Sequence, residues 1–100
     1  MAAKSAQQAY DEIVAHIGKQ GGEYTNWYCG IASDPEDRLF NEHKVPRKDS
    51  WWIYCQCHNT DDARTVENAL IKLGCDGAPG GGDKSTIYVY AYLKTAVTNP

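Results

Sequence analysis

Apolar residues follow two rhythms along this chain. Ala6, Ala9, Tyr10, Ile13, Val14 and Ile17 fall three or four positions apart, which places them on one stripe of a helix over residues 5–20. Ser5 is suited to cap its start with Gln8 three positions on, and Gly21-Gly22 to end it. Residues 24–32 are rich in aromatic side chains and read as a strand. Asp34-Pro35 then opens a second helix. Asp34 is an N-cap, Pro35 suits the first turn, and Glu36 and Asp37 match the positive end of the helix dipole. This helix should run to about Lys44 and stop before Pro46. Residues 51–57 (WWIYCQC) read as a second strand. Thr60 or Asp61 opens a third helix, whose Ala63, Val66, Leu70 and Leu73 repeat at helical spacing toward a sheet, and Gly74 closes it. A loop with Gly77, Gly80, Gly81 and Gly82 follows. Residues 87–93 alternate strictly, with Ile87, Val89, Ala91 and Leu93 on one face and Tyr88, Tyr90 and Tyr92 on the other.

Three helices and three strands in 100 residues predict one α/β domain, 1–100, in which helices cover a three-stranded sheet. Pattern alone leaves the strand order open. With 42% apolar and 23% charged residues, the composition is that of a folded domain rather than a disordered chain. The apolar runs are too short to cross a bilayer, and the start MAAKSAQQAYDE has no apolar block of a secretory signal, so the expectation is a cytoplasmic protein with no membrane partner. On that expectation Cys29, Cys55, Cys57 and Cys75 are buried thiols rather than bridges. A net charge of −3 counts against tight nonspecific duplex binding, because the counterion release that drives it needs a basic excess. The local basic segment is His43-Lys-Val-Pro-Arg-Lys48.

Some residues do not fit a plain sandwich. Glu67 sits on or beside the apolar stripe of the third helix, where a carboxylate costs stability unless a cation, a metal or several donors meet it. It can instead lie at the rim and pair with Lys72 or Arg64. Arg38 can pair with Glu42 one turn on, a surface contact of roughly 0.3–0.5 kcal/mol. His43 leans toward the core between Leu39 and Phe40. Cys55, Cys57 and His58 lack the C-x₂-C geometry of zinc sites, and with Ile53 the two cysteines form an apolar strand face. The glycine cluster has neither the feeding strand nor the Lys-Ser/Thr of a phosphate loop. Trp51 and Trp52 are candidates for stacking on bases.

Taken together, Tyr28-Cys29-Gly30, the turn and helix through Arg38-Leu39, His43, the strand 51–57 and Ala63-Arg-Thr-Val-Glu67 resemble the GIY-YIG nuclease family over roughly residues 24–75. The resemblance implies a GIY-YIG-like α/β fold, a small three-stranded, mainly antiparallel sheet flanked by about three helices. It also implies metal-dependent endonuclease chemistry on phosphodiester bonds of nucleic acid, DNA before RNA. Glu67 would hold Mg²⁺ or Mn²⁺ with water completing the shell. Arg38 would contact the scissile phosphate, Tyr28 would position or deprotonate the attacking water, and His43 would relay the proton.

The resemblance breaks at the family's first strand, which carries Gly-x-Tyr and forms a hairpin with Tyr-x-Gly. Gly22-Glu23-Tyr24 has the letters, but three residues between Tyr24 and Tyr28 leave no room for a hairpin. The spare strand 87–93 is therefore expected to pair with the Tyr28 strand and to supply the missing phenol from Tyr88 or Tyr90. The alternative reading is a non-catalytic GIY-YIG-like module that binds protein or nucleic acid through its tyrosine and tryptophan surface.

Overall fold

The computed structural model describes residues 3–48, 50–78 and 82–100. Its elements are α1 (Ala6–Lys19), a single 3₁₀ turn (Tyr24–Asn26), β1 (Trp27–Ala32), a π-helix (Asp37–Glu42), β2 (Trp52–Gln56), α2 (Thr60–Leu73) and β3 (Tyr88–Leu93). Gly80 and Gly81 of the predicted glycine loop lie outside the described residues.

The three strands form one sheet in the order β1-β3-β2, with both pairings antiparallel. The last strand is thus the central one. Its alternation decides what each face holds. Val89 and Ala91 enter a core with Trp27, Cys29, Ile31, Cys55 and Cys57, against Ala9, Ile13 and Ile17 of α1 and Ala63, Val66 and Leu70 of α2. Each large side chain buried there contributes roughly 1.5–3 kcal/mol. Tyr90 and Tyr92 point the other way, into a smaller core with Ala32, Leu39 and Val45 beneath the π-helix. Leu73, expected on the sheet-facing stripe, is instead 38% exposed, because α2 ends there and the chain turns away through Gly74. All four cysteines are buried and free.

The helix ends carry their local chemistry. Ser5 and Gln8 form a reciprocal capping box on α1. Thr60 opens α2 as expected, and Asn59 before it is the N-cap, its side chain accepting from the Asp62 N–H at 2.8 Å. Gly74 takes φ +122° at the end of α2, in the region glycine enters without strain. Segment 75–77 then runs back along the outer edge of β1. The Asp76 N–H donates to the Trp27 carbonyl at 2.8 Å, and the Cys29 N–H to the Asp76 carbonyl at 2.9 Å. This pairing occupies the edge of β1 up to Cys29 and blunts a surface that would otherwise invite strand addition.

Candidate active site

The site begins with a missing side chain. In the β1–β3 register Gly30 faces Tyr90, and Tyr28 faces Tyr92. A Cβ built on Gly30 would stand 2.5 Å from the Tyr90 hydroxyl oxygen and 2.7 Å from its Cζ. The Tyr90 ring therefore leans across β1 through the space that only glycine leaves. It reaches a cleft of about 180 Å³ on the β1 side of the sheet, lined by Tyr28, Gly30, Ile31, Arg38, Glu67, Ala78 and Tyr90.

Each wall of the cleft comes from a different element. Arg38 stands on the π-helix, whose geometry differs from the α-helix expected from the sequence. The His43 N–H donates to the Arg38 carbonyl at 2.8 Å, an i to i−5 bond. On an α-helix, residues five apart diverge by about 140°. The wider π turn stacks them on one side, so Arg38 reaches the cleft while His43 reaches Tyr90. The Arg38 guanidinium also meets Glu42 at 3.3 Å, both side chains about half exposed.

Glu67 comes from α2 and is 2% exposed. Its Oε1 is buried and has no hydrogen-bond partner among the described residues. Burial raises its pKa above the usual carboxylate range, and the neighbouring Arg64 guanidinium partly opposes that shift. The expectation that it sits at a rim therefore fails.

His43 is 7% exposed and lies among three tyrosine rings, with centroids 4.8 Å from Tyr28, 5.1 Å from Tyr92 and 5.5 Å from Tyr90. Its Nδ1 is 2.8 Å from the Asn99 carbonyl oxygen and its Nε2 is 2.7 Å from the Tyr90 hydroxyl. A carbonyl can only accept, so in the neutral ring Nδ1 bears the hydrogen and Nε2 accepts from the Tyr90 O–H. Burial lowers the His43 pKa and Arg38 adds to the effect, against the Asn99 bond that raises it. The Tyr90 and Tyr92 phenols are pushed above their ordinary range by burial. The Tyr28 phenol is also raised, first by burial and then by Asp76, with Arg38 opposing. The group thus rests as neutral imidazole and neutral phenols.

Of the residues singled out in the sequence, Tyr28, Arg38, Glu67 and Tyr90 meet around one cleft, with His43 behind Tyr90. Tyr88 does not join them. It lies two residues along β3, opposite Ala32 and Gln56, and borders a separate depression with Ser33, Asp34, Pro35, Glu36 and Tyr54. Tyr24, in the 3₁₀ turn, packs against the core on the α1 and α2 side. Sequence reasoning missed the part played by Tyr92, which the tyrosine alternation could have suggested. It also missed Asn99, for which the sequence carries no signal.

Glu67 is the one carboxylate among the described residues on the cleft wall. Among the described residues no group of three or more His, Cys, Asp or Glu is arranged around a common point. A carboxylate with one unpartnered oxygen at the wall of a small cleft is compatible with Mg²⁺ or Mn²⁺, which accept one protein carboxylate plus waters and substrate phosphate. Among the described residues no helix is long and apolar enough to cross a membrane. The chain matches no protein-family model, no curated protein and no solved structure.

Proposed function

We propose that this chain is a GIY-YIG-like nuclease domain in which β3 stands in for the family's first strand, and that it hydrolyses phosphodiester bonds in nucleic acid, DNA first, within the cytoplasm. One observation carries the reading. Tyr28, Arg38, Tyr90 and a buried carboxylate with an unpartnered oxygen line the same cleft. Strand 87–93, expected to replace a missing partner of the Tyr28 strand, is the strand that pairs with it.

Glu67 would hold the divalent cation, which supplies positive charge against the phosphate and its leaving oxygen. The remaining chemistry belongs to the chain. The Arg38 fork, turning from Glu42, grips the non-bridging oxygens and offsets charge as it grows in the transition state. Tyr28 orients a water in the cleft. Tyr90 takes a proton from that water as it passes its own hydroxyl proton to His43 Nε2, 2.7 Å away. A raised phenol pKa suits this relay, because Tyr90 need never carry a charge at rest. The leaving oxygen is protonated by solvent in the open cleft.

The test uses supercoiled plasmid with millimolar Mg²⁺ or Mn²⁺. The expected outcome is nicking by the wild type and none by Glu67→Gln. Amide resonances of Tyr28, Arg38 and Glu67 should move with added metal in the wild type alone. An intact plasmid with unmoved resonances overturns the reading. The second reading, a binding module without chemistry, is favoured by the net charge of −3 and by the ion pair that holds Arg38 on Glu42. It predicts nucleic-acid or protein binding that Glu67→Gln leaves intact.

A further inference from the structure

Resting on the relay just described, the geometry points to Asn99 as a positioning residue whose main chain holds His43 in the tautomer that can accept the Tyr90 proton. Two bonds join these residues, which are 56 positions apart. The Asn99 carbonyl accepts from His43 Nδ1 at 2.8 Å, and the Asn99 N–H donates to the His43 carbonyl at 2.6 Å. Ring and backbone of His43 are thus gripped by the same peptide segment. The segment is itself anchored by a turn directly after β3. The Thr95 N–H donates to Thr98 Oγ1 at 3.0 Å, and Thr98 Oγ1 donates to the Thr95 carbonyl at 3.1 Å.

The grip matters because a second group competes for the same nitrogen. The Tyr92 hydroxyl lies 3.3 Å from His43 Nδ1. A hydroxyl can donate or accept, whereas a carbonyl only accepts. If Tyr92 donated to Nδ1, the ring hydrogen would have to sit on Nε2. The bond to Tyr90 would then run in reverse, and His43 would have no lone pair to take the Tyr90 proton. The shorter contact to Asn99 excludes that arrangement, so the tail sets the direction of the relay without touching the cleft. This is the tautomer-setting role usually played by a carboxylate or carbonyl behind a catalytic histidine.

Heteronuclear NMR of selectively labelled histidine, in the full chain without metal or nucleic acid, reads which ring nitrogen of His43 bears hydrogen at neutral pH. The wild type is expected to show Nδ1–H alone, and so is Asn99→Ala, which keeps both main-chain bonds. Asn99→Pro has no N–H to hold the His43 carbonyl, so a resolved Nε2–H population is expected beside the first. Adding Tyr92→Phe to it should shrink that population by removing the competing donor. A wild-type ring with hydrogen on Nε2 overturns the inference even if no variant folds. So does a folded Asn99→Pro protein that keeps Nδ1–H alone. Failure to cleave plasmid would remove the proposed reaction while these spectra still decide the tautomer, so the two failures are told apart.

Discussion

At residue scale the site turns on two positions whose cost to the fold is visible. Gly30 leaves no Cβ where Tyr90 leans across β1, and the Tyr90 hydroxyl is pinned by His43 at 2.7 Å. Gly30→Ala cannot be absorbed by swinging a free side-chain tip. It is expected to cost about 1–3 kcal/mol, the usual scale of overpacking, and to break the Tyr90–His43 bond. Urea unfolding and the His43 ring resonances check the two halves of that outcome. Glu67 is the other costly position. Its folded pKa lies above the unfolded value, so its contribution to stability is present below the unfolded carboxylate pKa and lost as pH rises through the folded one. Above the unfolded carboxylate pKa its burial therefore weakens the fold, a pattern more common at functional sites than in plain cores. Glu67→Gln is therefore expected to raise Tm at neutral pH, with the gain fading toward acid. Millimolar Mg²⁺ should raise the Tm of the wild type and leave the variant unmoved.

At the scale of elements, the chemistry depends on how α2 and the π-helix present their residues. Gly74 ends α2 at φ +122°, with Tyr24 and Thr25 only 3.4–3.5 Å from where a Cβ would stand. Gly74→Ala is expected to cost roughly 1–2 kcal/mol through backbone strain, while the metal response at Glu67 persists, because the strain lies two turns away. Retained metal shifts alongside a lowered urea midpoint would show it. The periodicities that located α1, α2 and the three strands were legible because each face is buried in a simple repeat of 3.6 or 2. The tyrosine alternation on β3 likewise foretold that Tyr90 and Tyr92 share a face. The π-helix was not legible. Its extra residue per turn is set by tertiary packing of Leu39 and His43 against the tyrosines, and no local residue choice announces it. The burial of Glu67 was half legible: helical spacing placed it beside the stripe, but whether it turned to solvent depended on how β1 and the Arg38 turn closed over it. The choice of Tyr90 over Tyr88 needed the register of β3 against Gly30, which sequence pattern does not supply.

Across the whole molecule, two histidines on opposite sides of the sheet resist acid in the same sense. His43 lies under the π-helix, and His16 at the end of α1 packs edge-on to Trp27 and Trp51, with ring centroids 5.8 Å and 6.4 Å away. Burial lowers both pKa values. Their contribution to stability is thus present above the unfolded imidazole value of about 6.5 and lost as pH falls through the folded values. Between those limits the unfolded chain binds more protons, and each histidine adds a slope of at most about 1.4 kcal/mol per pH unit. Glu67 pulls the other way in acid, since its raised pKa lets the folded state take up a proton early. Glu67→Gln removes that uptake and leaves the loss from the histidines unopposed. The urea midpoint is therefore expected to fall between about pH 7.5 and pH 5.5 in both proteins, and on further acidification to drop further in the variant, which lacks the proton uptake of Glu67. Parallel curves would mean that Glu67 titrates as an ordinary carboxylate and is not the buried charge on which the metal assignment depends. A flat curve in the variant would mean that neither imidazole is held neutral by the fold, and His43 would then lose its standing as a proton acceptor behind Tyr90.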